Sequence, residues 1–186
     1  VSLGAAAIID FNAAHPDAVA SAILVDPQGF IDGAPPVPEP FARGGIRVLG
    51  SWPLRSVANQ LAYADTDAFA TDDAIRVGLL HTARPAWEDD SVAWLLGGGY
   101  DVADAVVDLG AAGVPTLTLW GREDEVIPAG GDAAGGLLTP SPLASLLGAL
   151  PATTFRWVER SGHTPHLEQP AVTARAIAAF ARGEPV

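Results

Sequence analysis

The sequence predicts an α/β fold: a parallel sheet with crossover helices and an inserted helical cap. Three observations carry this. Short apolar runs, "ASAILV", "PTLTLW" and "TFRWVE", are each closed by Asp-Pro, Gly or Ser-Gly, as buried strands are. Helical stretches separate them, the pattern of strands that run parallel and need crossovers. Between the first two runs lies a long segment of different character, too long for a simple connection.

The elements follow in order. Gly4 to Ala14 reads as an Ala-rich helix with Ile8, Ile9 and Phe11 on its apolar side, stopped by His15-Pro16. Ala20 to Val25 is the first strand, ended by Asp26-Pro27. Residues 1–28 are thus one core piece. The segment 29–113 is the cap, opening on the proline-rich "GAPPVPEP" and carrying helical stretches at Val48–Tyr63, Asp72–His81 and Trp87–Leu96. Residues 114–186 return to the core. They hold the strands Pro115–Trp120 and Thr154–Glu159, and a last helix over Ala171–Ala181 that opens on Pro170, a favoured first-turn residue. A Gly/Pro-rich loop, Pro128 to Pro142, separates the two strands.

Composition narrows the function. The 186 residues are 49% hydrophobic, enough for a sizeable core, and their mean hydropathy is +0.26. No apolar run nears the roughly 18 residues of a membrane span. A net charge of −12 repels a phosphate backbone, so nucleic acid is excluded as a natural partner. The chain has no cysteine, which removes disulfides, thiolate catalysis and Cys-ligated metals together. Its four histidines show no H-E-x-x-H spacing, and "LLGGGYD" falls within the cap rather than after a strand. No cofactor or metal is implied.

In parallel α/β sheets, sites form at the carboxyl ends of strands. Ser2 sits where a strand should turn into a helix, Asp124 follows "TLWGRED" and His163 follows "WVERSGH". A serine hydroxyl needs a neutral imidazole to take its proton, and the resulting imidazolium needs a carboxylate to orient and stabilise it. An oxyanion needs preorganised donors, and the backbone N–H of Leu3, at a helix start, is one. Each residue also has an ordinary reading. Ser2 serves as a helix N-cap and Asp124 as a solvated turn residue in those readings. Gly162 lets the loop before His163 turn tightly. His166 and Glu168 brace that loop, and His15 and His81 belong to the surface or the cap. Trp120 and Trp157 pack in the core or line the crevice. Trp52, Trp87, Trp94 and Trp120 are candidates for an apolar pocket, which suggests a lipophilic or aromatic substrate.

Taken together, "VSLG", "PTLTLWGREDEVIP" and "SGHTPHLEQP" resemble the nucleophile elbow, acid loop and histidine loop of the α/β-hydrolase family, in that family's order of Ser, Asp and His. The chain is similar to the C-terminal two-thirds or so of such an enzyme. The resemblance implies the C-terminal part of an α/β-hydrolase fold, with Ser2 as nucleophile, Asp124 as acid and His163 as base. Asp26 in "LVDP" is the rival acid, since some members place it after that earlier strand. A serine at the elbow points to esterases, lipases and carbon–carbon bond hydrolases, and away from the branches with aspartate there. A receptor or a decayed member of the fold is the non-catalytic alternative. The resemblance also places the elbow's first Gly, further strands and the second oxyanion donor upstream of Val1. The fragment alone is therefore expected to be inactive, with one sheet edge unpaired. The cap is similar to hydrolases of photosynthetic eukaryotes, several of them plastid proteins, so a plastid or cytoplasmic location is the expectation.

Overall fold

The computed structural model describes residues 1–30, 37–97, 102–130 and 141–186. The start of the proline-rich linker, the glycine run after Gly97 and most of the Pro128–Pro142 loop lie outside them. Three strands, β1 (Ala22–Val25), β2 (Thr116–Gly121) and β3 (Thr154–Val158), form a parallel sheet in the order β1-β2-β3. Val25 stands opposite Leu119, and Gly121 opposite Val158. Every residue of β2 is buried, as a central strand covered on both faces must be.

The strands' period of two sorts their side chains onto two faces. Leu24 and Trp120 point into a cluster with Ile9 of α1 (Leu3–Ala14), Phe30, Val106 and Leu146. Val25, Leu117, Leu119 and Val158 point the other way, onto Ala176, Ile177 and Phe180 of the C-terminal helix, Pro170–Ala181. The sheet is thus covered on both sides.

The cap contains α2 (Glu39–Leu49), α3 (Trp52–Ala62), α4 (Thr66–Phe69), α5 (Asp72–Leu79), a 3-10 turn (Leu80–Ala83) and α6 (Trp87–Leu96). A single helix over Val48–Tyr63 was expected, and the chain instead breaks at Gly50-Ser51. A Cβ at Gly50 would stand 2.7 Å from the Trp87 ring, and Pro53 lacks the N–H that a continuing helix would need. Ala42, Ile46 and Val92 pack with Trp87 and Leu95 between α2 and α6. Arg43 pairs with Glu39, Glu88 and Asp89 over the same seam.

A further helix, α7 (Ala103–Ala111), follows within the segment 29–113. It packs on α1, and its Val106 and Leu109 are fully buried in the sheet's own cluster. Core packing therefore resumes near Val102. A helix over Pro142–Ala149, α8, closes the β2–β3 crossover, capped by the Ser141 hydroxyl accepting from Ala144 N–H at 3.1 Å. Then come α9 (Pro165–Glu168) and α10 (Pro170–Ala181). Among the described residues no helix is long and apolar enough to cross a membrane.

Candidate active site

The strand ends carry the site. Ser2 lies beside the end of β1, its N–H donating to Val25 O at 2.9 Å, while its own carbonyl accepts from Gln28 N–H at 3.3 Å. Its backbone is at φ 49° and ψ −124°, outside the regions open to a residue with a Cβ. Such a conformation costs on the order of 1–3 kcal/mol and persists where surrounding structure imposes it. The hydroxyl makes no N-cap bond to α1, so capping does not account for the serine. Leu3 opens the helix, and among the described residues nothing accepts from its N–H, whereas Gly4 and Ala5 bond Val1 O and Ser2 O. One free donor and the positive end of a helix thus stand next to the Ser2 hydroxyl.

After β2 the chain turns so that Asp124 is buried, its Oδ1 accepting from Val126 N–H at 2.8 Å and Ile127 N–H at 2.9 Å. Its Oδ2 lies 2.9 Å from Nδ1 of His163, which follows β3 and is also buried. Two backbone donors lock the carboxylate, and the carboxylate fixes the imidazole. His166 is pushed below the ordinary histidine value by burial. The Ser2 hydroxyl makes no hydrogen bond to the imidazole among the described residues, so the structure joins Asp124 to His163 but does not join Ser2 to them.

The loop is held to the cap. His163 N–H donates to Ala62 O at 2.9 Å, at the end of α3. A Cβ on Gly162 would stand 2.7 Å from that same carbonyl oxygen. Gly162 is therefore required by close approach to the cap backbone, and its φ is not positive. Buried Glu168 spans the joint: Oε1 accepts from Ala64 and Asp65 N–H at 2.8 and 3.1 Å, and Oε2 from Gly162 N–H at 2.6 Å. Replacing Glu168 with Ala leaves three backbone donors without their acceptor. Each costs about 1–3 kcal/mol, so a loss of more than about 3 kcal/mol is expected in chemical denaturation.

The rival acid, Asp26, has no hydrogen bond to the imidazole. Its Oδ1 accepts from Gly121 N–H at 2.7 Å, and burial pushes it up to about 9, with the Asp124 charge adding to the rise. One of its oxygens lies within 4.8 Å of both Asp124 and His163, yet only Asp124 bonds the imidazole. Nothing in the sequence signals the approach of Asp26 to Asp124, which joins the ends of two strands.

The tryptophans separate. Of the two places expected for Trp120, core or pocket, the structure gives the core: it has no exposure and donates from Nε1 to Ile127 O at 3.1 Å. Trp157 stacks edge-on against Phe155, 5.0 Å between centroids, with Arg122 over its other side. Trp52 is exposed under Arg76. Trp87 and Trp94 share a cleft of about 340 Å³ within the cap, with Arg55 and His81. There the Arg55 Nη2 stands 3.0 Å from His81 Nε2, and burial followed by the Arg55 charge holds His81 below its ordinary value. Sequence reading left Arg55 unnoticed, because an isolated arginine on a helix carries no motif.

Comparison with known proteins bears on the family and the fold. A family model described as the alpha/beta hydrolase family matches residues 1–176. The alpha/beta hydrolase domain-containing protein VTE7 of Arabidopsis thaliana is 31% identical over 98% of this chain, and the match spans 52% of that protein. The chain thus corresponds to about half the length of this relative. Among solved structures, 2-hydroxy-6-oxo-6-phenylhexa-2,4-dienoate hydrolase from Rhodococcus sp. strain RHA1 superposes with a TM-score of 0.71 at 16% identity, over 97% of this chain and 62% of that one. A thermophilic esterase from Thermogutta terrifontis gives 0.71 at 20%, over 98% and 63%. Likeness at such identities speaks for the fold alone. With three parallel strands, an inserted helical cap and a match along nearly its whole length, the chain belongs to the alpha/beta hydrolase family.

Proposed function

We propose that the protein is a serine hydrolase that cleaves a carboxylic ester of a lipophilic substrate, with Ser2 as nucleophile, His163 as base and Asp124 as the acid that orients it. The Asp124–His163 pair carries this reading: a buried carboxylate, locked by two backbone donors, meets Nδ1 at 2.9 Å. That contact leaves Nε2 as the acceptor for the serine proton.

The steps balance without a cofactor. Ser2 Oγ attacks the acyl carbon as its proton passes to His163 Nε2, and the carbonyl becomes an oxyanion beside Leu3 N–H. The tetrahedral species collapses, and the leaving alkoxide takes the proton from Nε2. Water then attacks the acyl-serine by the same route, releasing the acid and restoring Ser2. The strained backbone at Ser2 and the free Leu3 N–H support the nucleophile's role.

The same residues suit carbon–carbon cleavage of a vinylogous diketone, so the substrate panel includes one. The test is labelling of the full-length protein with a fluorophosphonate, followed by peptide mapping. Modification of Ser2, lost in Ser2→Ala, is the expected result. A folded protein that takes up no label at Ser2 sinks the proposal.

A further inference from the structure

Asp26 lies beside the triad and takes no part in the reaction proposed above. Its side chain has no exposure, and its backbone is at φ 43° directly after β1. Its N–H donates to Leu119 O at 3.0 Å and its Oδ1 accepts from Gly121 N–H at 2.7 Å. Its Oδ2 is closed off from solvent and has no donor among the described residues. One polar atom from each of Asp26, Asp124 and His163 lies within 4.8 Å of the other two.

Two carboxyl groups this close in a dry interior do not both ionise. The proton goes where charge is least supported. Asp124 has two backbone donors and the imidazole, whereas Asp26 has a single backbone donor. A proton on Asp26 also resolves its orphaned oxygen, because Oδ2–H becomes a donor and needs none. The nearby carboxylate is then its acceptor.

We propose that Asp26 is a positioning residue of the triad: a neutral carboxylic acid whose Oδ2–H donates to the Asp124 carboxylate and holds it against His163. This rests on the reading of Ser2, His163 and Asp124 as catalytic. The titratable groups facing Asp26 are Asp124 and His163. Burial is the largest cause of that rise, from 3.8 to about 9, and Asp124 the next. The sign follows from linkage. The folded chain keeps a proton that the unfolded chain releases, so this site's contribution to stability is full below about pH 4. It is lost progressively as pH climbs toward about 9. Asn at this position keeps an acceptor for Gly121 N–H and a donor for Asp124, with no titration.

The experiment uses the full-length chain labelled with ¹³C at aspartate carboxyls, the Asp26 signal being assigned through Asp26→Asn. The Asp26 carboxyl is expected to be protonated at pH 7 and to titrate near pH 9. An ionised Asp26 at pH 7 overturns the proposal. With an activated ester, Asp26→Asn is expected to keep kcat within about threefold, while Asp26→Ala loses about tenfold or more in kcat at little change in KM. Asp26→Asn should also flatten the fall of stability between pH 5 and pH 9, which Asp26→Ala shares but without retaining kcat. Equal loss of kcat in both variants overturns the donor role. The NMR and stability readouts need no turnover. A protonated Asp26 in a protein whose Ser2 takes no label overturns the catalytic reading, and an ionised Asp26 beside a labelled Ser2 overturns this proposal alone.

Discussion

Ser2→Ala in the full-length protein is expected to lower kcat for an activated ester by about 10⁶-fold, and His163→Ala by as much. The double variant should be no worse than either one, because nucleophile and base act as a unit. Without the imidazole the hydroxyl keeps its proton, and without the hydroxyl the imidazole has nothing to activate. Asp124→Asn is expected to lose about 10⁴-fold, since the imidazole is then offered the wrong tautomer. A stability measurement adds an independent arm. Ser2 is held at φ 49° and ψ −124°, a conformation that glycine adopts without the Cβ penalty. Ser2→Gly should therefore raise the unfolding free energy by about 1 kcal/mol while abolishing turnover. Multiplicative losses in the double variant, or a Ser2→Ala protein that keeps most of its kcat, would falsify the assignment. A serine kept at a strained position only for packing would show the gain in stability without the loss in rate.

Much of this arrangement was legible from local chemistry. The three strands came from short apolar runs with clear stops, and the helix bounds at both ends of the chain from Pro16 and Pro170. Asp124 and His163 were singled out because the loops around them resemble the family's acid and histidine loops, and in the structure the two side chains meet at 2.9 Å. What escaped depended on distant partners. The break after Gly50 is the exception: Ser51 turns extended just ahead of Pro53, a local signal that the apolar pattern of Val48–Tyr63 masked. The packing of α7 on α1 was not foreseen, because nothing in "ADAVVDLGA" tells whether its apolar side faces the sheet or the cap. Trp120 was offered to the pocket because a tryptophan ending a strand suits a crevice or a core equally. Only the bond to Ile127 O and the absence of exposure decide it. The pairing of Asp26 with Asp124 joins residues 98 positions apart, through the β1–β2 register.

Gly121→Ala is expected to be the most damaging change of a single methyl group in the sheet. An ideal Cβ at Gly121 would collide with Gly162 O and stand 2.7 Å from Ser161 O and 2.9 Å from Gly162 C. All three are backbone atoms, so no rotamer change makes room. The end of β2 and the histidine loop must move apart. That strains the bonds from Arg122 N–H to Val158 O, Glu123 N–H to Ser161 O and Gly121 N–H to Asp26 Oδ1. Overpacking of this kind costs about 3 kcal/mol or more, a fall of roughly 6–12 °C in Tm for a chain of this size. Because the loop that moves carries His163, kcat should fall together with stability. Gly148→Ala is the control, since Gly148 lies within α8 and a Cβ there meets nothing within 4 Å. That substitution is expected to raise stability by up to about 1 kcal/mol, as alanine outranks glycine in a helix, and to leave kcat unchanged. Should Gly121→Ala prove as benign as Gly148→Ala, the close seating of the histidine loop on β2 is wrong, and so is the account of what holds His163 against Asp124.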